Sequence, residues 1–439
     1  MVSAGRPDSI LLKDGLVIDP SQGLAEKRHV HVEGGRIEAI LPRDQAPLPQ
    51  TEVTIDASHL AVTPGFVDIH THVRYPGQEQ KETVASCTSA ALRGGFTTIC
   101  AMANTSPPVD SPDRVEQVQR MGSEEGRCRV EVVGAATRGL AGREPNDAAS
   151  LMGAGAVALS DDGRPVESAD IMLEILRASA RQGFPVSAHE ERLEPAGSPG
   201  VRCWTCAGEA DMIRRDLELL ARSGGRLHIA HVSCAESVEL LEAAQAHGLP
   251  VTGEASPHHL LLTDECLAGF GDLPPRHGWT KVSPPLRSEH DVEAVRQGLA
   301  AGVLQAIATD HAPHTSTDKA GEFDRAAVGF TGLETALSVA LELVSTAVLD
   351  LSTAVQRLTC GPARIFGLRA GTLQPGSPAS VCIFDPDEVW YPGRDTLLSK
   401  SKNTPLSGRP LRGRVRAVVA GATLHQFSGD HELRAVRAL

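Results

Sequence analysis

Short apolar runs rich in β-forming residues alternate with amphipathic helical patterns through the middle of the chain. Each run is followed by a polar stretch, a stretch of helical period and then a glycine. The helical period predicts helices over residues 81–93, 168–182, 235–247 and 289–301, with glycines where they should end. The eight predicted strands cover residues 66–72, 96–102, 129–133, 156–162, 184–189, 226–232, 249–255 and 304–310.

A chain with this alternation of strands and helices can adopt only a few folds. Strands separated by helices favour parallel pairing through right-handed crossovers, and eight strands is the number that closes a barrel. An open, doubly wound sheet is the alternative, but no glycine-rich phosphate-binding motif follows the first strand. The pattern therefore predicts an α/β fold of the (β/α)8 TIM-barrel type.

Both ends of the chain carry short strands with hairpin turns instead. Strands are predicted over residues 9–19, 28–40 and 52–55, and again over 380–384 and 414–423. Strands from both termini beside a barrel would form a small β-sandwich. We predict that residues 1–59 form its N-terminal part, residues 60–370 the barrel and residues 371–439 its C-terminal part. The longest stretch without a clear pattern, residues 256–287, is expected to be a functional loop.

Composition narrows the classes of function. The 439 residues include 42 Lys and Arg against 55 Asp and Glu, a net charge of −13 that argues against nucleic-acid binding. The first 20 residues lack a signal-peptide pattern. Glu342 and Asp350 interrupt the longest apolar-leaning stretch, residues 335–355, which predicts a buried helix rather than a membrane span.

The nine cysteines are scattered, which suits a reducing cytoplasm better than a disulfide framework. Cys203 and Cys206 are the one closely spaced pair. A redox pair or half of a zinc site is the less favoured interpretation of this spacing, because no second pair accompanies it. The favoured interpretation is two thiols in a loop on the active-site side.

Residue types that bind metal ions stand at the ends of five predicted strands, where (β/α) barrels carry their chemistry. The first strand ends in His70-Thr-His72, and alternate strand residues share a face, so both imidazoles point the same way. On the fourth strand the same alternation selects Asp162 over Asp161, because small side chains share the face of Asp162.

The fifth, sixth and eighth strands end at His189, His231 and Asp310. Four imidazoles and two carboxylates would then converge above one barrel mouth. This mixture suits Zn²⁺, with Mn²⁺ or Co²⁺ as substitutes. Any single histidine among the 17 is more often a surface or hydrogen-bonded residue, and we assign His228, His247, His277 and His290 to that class.

The segments that carry these residues resemble the amidohydrolase superfamily and, within it, the class I dihydroorotases. Residues 64–74, Pro-Gly-Phe-Val-Asp-Ile-His-Thr-His-Val-Arg, are similar to the first-strand motif of that family. Hydantoinases and allantoinases carry a carbamylated lysine on the fourth strand, whereas no lysine occurs between residues 153 and 181 here. The other matching segments are residues 94–98, 102–105, 160–163, 283–287, 308–314, 332–334 and 401–405.

The resemblance implies one or two Zn²⁺ ions per chain. Asp162 would lie between the ions, and Asp310 would also act as the catalytic base. The remaining implied ligands are His70 and His72, on the same ion as Asp310, and His189 and His231, on the second ion.

The resemblance also implies a substrate-binding set. Arg74 would hold a substrate carboxylate through two parallel hydrogen bonds. Ser283 stands where the family usually has an asparagine that contacts the substrate. The full implied set is Arg74, Asn104, Ser283, His314 and the backbone of Val328 and Gly329.

The implied activity is the reversible cyclisation of N-carbamoyl-L-aspartate to L-dihydroorotate in de novo pyrimidine biosynthesis. Two alternatives stay open. One is a hydantoinase-like cyclic amidohydrolase, suggested by Ser283. The other is a non-catalytic subunit of aspartate carbamoyltransferase, although such proteins have lost ligand histidines that this chain keeps. We expect a cytoplasmic homodimer with a small-molecule substrate, aspartate carbamoyltransferase as a candidate partner, and no nucleic-acid or membrane partner.

Overall fold

The computed structural model describes residues 2–190, 193–195, 202–320, 323–427 and 435–437 of the chain. In chain order its strands are β1 (Val2–Gly5), β2 (Ser9–Asp19), β3 (Leu24–Glu33), β4 (Arg36–Pro42), β5 (Val53–Asp56), β6 (Ala61–Pro64), β7 (Phe66–Thr71), β8 (Phe96–Ala101), β9 (Arg129–Ala135), β10 (Ala156–Ser160), β11 (Pro185–Ala188), β12 (Leu193–Pro195), β13 (Arg202–Trp204), β14 (Arg226–Ile229), β15 (Val251–Ala255), β16 (Ala306–Ile307), β17 (Ser380–Trp390), β18 (Leu411–Ala420), β19 (Thr423–Phe427) and β20 (Ala435–Arg437).

The α-helices begin and end close to the positions that the sequence pattern predicts. Helix α4 starts after Ser168, whose side chain accepts a hydrogen bond from the Ile171 backbone N–H, and it ends at Gly183 with φ of 80°. The helices are α1 (Val84–Arg93), α2 (Pro112–Glu125), α3 (Ala148–Gly153), α4 (Ala169–Gln182), α5 (Cys206–Ser223), α6 (Ala235–Ala246), α7 (Pro257–Leu261), α8 (Glu289–Ala301), α9 (Ser316–Lys319), α10 (Ala336–Ser345), α11 (Leu351–Leu358) and α12 (Cys360–Phe366).

Eight parallel strands form the central sheet, in the order β7, β8, β9, β10, β11, β14, β15 and β16. Every residue of β7 and β8 is buried, as expected for strands covered on both faces. The two edges meet at Thr71, which bridges to His311, and the His72 backbone N–H donates to His311 O at 3.0 Å. The predicted (β/α)8 barrel is therefore confirmed.

Strands from both ends of the chain form a second, ten-stranded sheet. Its main path runs β1, β19, β18, β17, β6, β2, β3, β4, with β5 on β2 and β20 on β5. The C-terminal β17 pairs antiparallel with the N-terminal β6, so that Val381 lies opposite Pro64. The expected small β-domain from both termini is present. The predicted domain boundaries at residues 59/60 and 370/371 stay a prediction. Strand β6 belongs to this sheet and is followed directly by β7 of the barrel.

Two local predictions need correction. The single helix expected over residues 335–355 is two helices, α10 and α11, because Asp350 caps α11 by accepting from the Thr353 backbone N–H at 2.8 Å. Residues 256–287 are not wholly irregular, since they contain α7 and two 3₁₀ turns, Asp264–Ala268 and Gly278–Thr280. Among the described residues, no helix combines the length and apolar character that crossing a bilayer requires.

A buried carboxylate joins the first and last barrel strands. Asp68 Oδ1 accepts from the Thr309 backbone N–H at 2.8 Å. Its Oδ2 accepts from the hydroxyls of Thr309 at 2.6 Å and Thr71 at 2.5 Å. Strand β16 has only two residues and offers few backbone hydrogen bonds to its neighbours. The bonds of Asp68 therefore help to hold the first and last strands of the barrel together.

We expect Asp68→Ala to lower the free energy of unfolding by about 2–4 kcal/mol, since it leaves buried donors without acceptors. Chemical denaturation followed by circular dichroism measures the change. Asp44→Ala, at an exposed position, is the matched control. A variant as stable as the control would show that Asp68 does not brace the barrel.

Candidate metal centre and active site

The six predicted ligands lie at one mouth of the barrel, because each follows the carboxyl end of a parallel strand. They are buried, with exposed fractions of 6% or less. His70 lies on β7, and the other five come one to three residues after a strand ends: His72, Asp162, His189, His231 and Asp310.

These side chains form two overlapping groups that share His70. One consists of His70, His189 and His231, and the other of His70, His72 and Asp162, with the ligand atoms of each group within 4.8 Å of one another. Asp310 Oδ1 lies 3.1 Å from His72 Nε2 and 3.6 Å from His70 Nε2. The structure thus brings all six side chains together, while their division between two ions stays a prediction.

The donor set fits a divalent cation. Asp162 Oδ2 is buried and has no hydrogen-bond partner among the described residues, yet it lies 3.4 Å from His70 Nε2 and 3.6 Å from His72 Nε2. An unpartnered buried carboxylate oxygen that faces imidazole nitrogens is costly unless a cation joins them. Imidazole and carboxylate together are ligands of Zn²⁺ and similar ions.

Neighbouring side chains orient three imidazoles so that Nε2 faces the cluster. His70 Nδ1 lies 2.6 Å from Glu254 Oε1, His72 Nδ1 2.9 Å from Asn104 Oδ1, and His189 Nδ1 3.2 Å from Ser160 Oγ. An acceptor at Nδ1 places the proton there and leaves the Nε2 lone pair for a cation. Asn104 Nδ2 also donates to Asp162 Oδ1 at 2.9 Å, so that one amide positions two ligands.

Charge pairing keeps the carboxylates ionised. Burial alone would raise the pKa of Asp162, but the His72 and His189 imidazoles hold that pKa well below its usual range. Burial also acts on Glu254, where the opposing His70 and His228 rings lower the pKa. Both groups are therefore anionic at neutral pH and favour a cation at the cluster.

Three residues of the mouth have positive φ although none is glycine. The values are 64° for Arg74, 32° for His231 and 45° for Asp310. Non-glycine residues rarely adopt this region, and such strain is concentrated at functional sites. The backbone here is held in place by the surrounding structure.

Arg74 and His314 form the rim of the cluster. Arg74 Nε donates to Pro313 O at 3.2 Å, and Arg74 Nη2 lies 3.4 Å from His314 Nε2. The shorter contact of His314 Nε2 is to Val328 O at 2.8 Å, so we assign the Nε2 proton to that bond. Burial and the Arg74 charge lower the pKa of His314 to about 2, which keeps the imidazole neutral.

Of the remaining predicted substrate contacts, Gly329 and Ser283 are buried and Val328 is half-buried. Gly329 has φ of 118°, and a Cβ there would lie 2.5 Å from Ala312 Cβ, so this position requires glycine. The Gly329 backbone N–H donates to Lys281 O at 3.0 Å. Ser283 is buried, with 9% of its surface exposed, and its role towards a substrate stays a prediction.

Sequence reasoning missed two buried residues that support the site. Glu254 on β15 contacts His70 and also lies 3.1 Å from His228 Nε2, in agreement with the assignment of His228 as a hydrogen-bonded residue. The sequence feature that could have identified Glu254 is an acidic residue inside a predicted buried strand. Lys319 gave no comparable signal, although its Nζ donates to Ala327 O at 2.7 Å and to Gly329 O at 2.9 Å.

Burial lowers the pKa of Lys319 to about 7, and the nearby Lys281 charge adds to this effect. The Lys319 side chain joins the end of α9 to the backbone of Gly329, and its Nζ also donates to Lys281 O at 3.1 Å. A cavity of about 630 Å³ lined by His314, Lys319 and Asn403 lies beside these hydrogen bonds.

The comparisons with known proteins agree with this geometry. Residues 61–424 match the model of the amidohydrolase family, and the chain therefore belongs to that family. The names of its curated relatives are more specific than the family description. The chain is 44% identical over 434 residues to "Dihydroorotase" of Anaeromyxobacter dehalogenans (strain 2CP-C), covering 95% of this chain and 98% of the relative. It is 39% identical over 436 residues to "Dihydroorotase" of Elusimicrobium minutum (strain Pei191), covering 97% and 99%.

Among solved structures, the L-hydantoinase (dihydropyrimidinase) from Arthrobacter aurescens superimposes with a TM-score of 0.83 at 26% identity, covering 93% of this chain and 94% of that one. The dihydropyrimidinase from Brevibacillus agri NCHU1002 has a TM-score of 0.82 at 21% identity, covering 98% and 97%. The fold and the cyclic amide hydrolase class predicted from the sequence are confirmed.

We expect Glu254→Gln to weaken metal binding about 10–100-fold, because the amide no longer supplies the negative charge that orients His70. Competition titration of the metal-free protein with a chromogenic chelator measures the affinity. Glu239→Gln, at an exposed position of α6, should bind metal like the wild type. Equal affinities in the two variants would contradict the role of Glu254.

Proposed function

We propose that this protein is a dihydroorotase that interconverts N-carbamoyl-L-aspartate and L-dihydroorotate in de novo pyrimidine biosynthesis. The observation that carries the proposal is the buried His–Asp cluster with Arg74 at its rim, in a chain 44% identical over 95% of its length to a relative named dihydroorotase. We further propose a cytoplasmic homodimer, with aspartate carbamoyltransferase as a candidate protein partner.

We assign Zn²⁺ to the cluster, in one or two copies held by His70, His72, Asp162, His189, His231 and Asp310. When bound, such a cation would polarise the ring carbonyl of the substrate and lower the pKa of water to about 7.

Arg74 selects and holds the substrate carboxylate. Burial lowers the pKa of its guanidinium, but the Asp162 and Asp310 charges favour the cation. These two carboxylates act on Arg74 through space, whereas a carboxylate on the substrate ring would contact the guanidinium directly and gain binding energy that a neutral ring does not. The neutral His314 beside it adds no competing charge.

Asp310 moves the proton in this proposal. Its carboxylate lies at the mouth beside His72, where it takes a proton from the attacking water and delivers it to the departing ring nitrogen. In the direction of ring closure the same carboxylate removes the proton from the ureido nitrogen.

A hydantoinase-like activity is the second candidate, favoured by the structural likeness to the Arthrobacter aurescens L-hydantoinase and by Ser283. Dihydroorotase is preferred because Asp162, not a lysine, occupies the fourth-strand position and because Arg74 lies at the mouth. A non-catalytic subunit would not need six buried ligand-type side chains.

The direct test incubates Zn²⁺-loaded protein with L-dihydroorotate and with N-carbamoyl-L-aspartate, and follows their interconversion by ultraviolet absorbance and chromatography. Hydantoin and dihydrouracil serve as neutral cyclic comparisons. Interconversion with little turnover of the neutral rings supports the proposal. Faster turnover of the neutral rings would favour the hydantoinase alternative, and no turnover of any compound would favour the non-catalytic subunit.

We expect Asp310→Asn to reduce kcat by about 10²–10⁴-fold, since the amide keeps the shape but cannot accept the proton. Steady-state kinetics at saturating metal measure the loss. Asp324→Asn, in an exposed ion pair with Arg276, is the matched control and should retain wild-type turnover. An Asp310 variant that keeps most of its activity would rule out this carboxylate as the base.

We expect Arg74→Met to lower kcat/KM for L-dihydroorotate about 10²-fold or more, while activity towards neutral cyclic amides changes far less. Methionine keeps much of the side-chain volume but cannot pair with a carboxylate. Arg143→Met, at an exposed position, controls for the substitution itself. A uniform loss on charged and neutral substrates would show that Arg74 does not select the carboxylate.

A further inference from the structure

The first turns of three helices meet at a cluster outside the proposed catalytic site. Cys206 is the first residue of α5, Cys234 directly precedes α6, and Asp291 lies in the first turn of α8. Their two sulfur atoms and one carboxylate oxygen all lie within 4.8 Å of one another. The side chain of Cys203, which is close to Cys206 in the sequence, lies outside the described part of the structure.

The spacing is close to that of a zinc site before any ion binds. In a tetrahedral site, a Zn–S bond of about 2.3 Å and a Zn–O bond of about 2.1 Å place the sulfur and oxygen donors about 3.6 Å apart. Here Cys206 Sγ lies 4.0 Å from Asp291 Oδ2. Small rotations of three side chains would therefore bring the donors to bonding distance.

Existing hydrogen bonds hold the carboxylate in position. Asp291 Oδ1 accepts from the Ala235 backbone N–H at 3.1 Å, and Oδ2 accepts from Ser288 Oγ at 2.7 Å. These bonds connect the starts of α6 and α8, and each oxygen keeps a lone pair for a cation. The ligand from α8 is thus pre-organised.

The Cys206 thiol and the Asp291 carboxylate already lie side by side. Cys206 Sγ donates a weak hydrogen bond to Asp291 Oδ2 at 4.0 Å. The hydrogen bond with the Cys234 thiol and the Arg287 charge lower the pKa of Cys206, whereas burial and the Asp291 and Glu209 charges raise it. A divalent cation would bind both cysteines as thiolates and release their protons.

The cluster is reachable from solvent. Cys206 and Asp291 are half-buried, whereas Cys234 is fully buried. Three protein donors with an open side are the arrangement of a zinc site that keeps one position for water. No donor belongs to the His–Asp cluster, and sulfur ligands set the preference of this site for thiophilic ions.

We propose that Cys206, Cys234 and Asp291 form a second metal site, separate from the catalytic cluster, that binds one thiophilic divalent cation such as Zn²⁺ or Cd²⁺. The ion joins the starts of α5, α6 and α8, which are distant in the chain. It braces the side of the barrel that carries the strands ending in His189 and His231.

Cobalt(II) tests the proposal, because a Co²⁺–thiolate bond gives a charge-transfer band in the near ultraviolet that histidine and carboxylate ligands do not give. The full-length protein carries Cys203→Ser throughout, so that the neighbouring thiol cannot contribute. We expect Co²⁺ titration to produce this band with an end point of one thiolate-bound ion per chain. Cd²⁺ should displace Co²⁺ and abolish the band.

Variants then assign the donors. Cys206→Ser and Cys234→Ser should each abolish the band, and Asp291→Asn should weaken Co²⁺ binding at this site at least tenfold. Cys266→Ser, at another buried cysteine, is the matched control and should leave the band unchanged. Cys206 is half-buried, so its variant keeps the test valid if Cys234→Ser fails to fold.

Three results would overturn the proposal. They are the absence of the band in the Cys203→Ser protein, a band that survives Cys206→Ser, and a Cys206–Cys234 disulfide in protein purified under reducing conditions. Dihydroorotase activity is measured in parallel and is independent of this outcome, so loss of the thiolate site and failure of the proposed reaction can be told apart.

Discussion

Charge pairing among buried side chains is the constraint on which this structure depends. Six ligand-type side chains are buried at one barrel mouth, and buried charges are tolerated only when each has a partner. Glu254 shows the consequence, because it pairs with His70 and His228 at once and keeps its own charge in a fully buried position. The fold concentrates negative charge at a group of side chains that could hold a metal ion.

The same mouth combines rigid backbone with a polar rim. Arg74, His231 and Asp310 hold positive φ values that non-glycine residues rarely adopt, so the surrounding structure must hold their backbone in place. Lys319, the last residue of α9, ties this helix to the backbone carbonyls of Ala327 and Gly329. Ligand-type side chains on a rigid backbone, together with the hydrogen-bonded backbone at Gly329, suit a site that must position a small ring to within a fraction of an ångström.

The fold could be predicted because its determinants are local and repeated. The barrel strands are short runs rich in apolar residues, and most helices between them have a capping residue or a terminal glycine that is visible in the chain, as at Ser168 and Gly183. Where a local signal competed with a longer pattern the prediction was wrong. The apolar stretch over residues 335–355 predicted one helix, but the cap at Asp350 starts a second.

For the site, the sequence by itself determined the residues at the strand ends, because parallel strands deliver their carboxyl ends to the same mouth and alternation chooses between neighbours such as Asp161 and Asp162. Only the tertiary structure decided which buried groups surround them. Glu254 reaches His70 across 184 residues of chain, and Cys206, Cys234 and Asp291 meet only because three helices pack side by side. Such contacts depend on the packing of distant segments, and no local period or spacing encodes them.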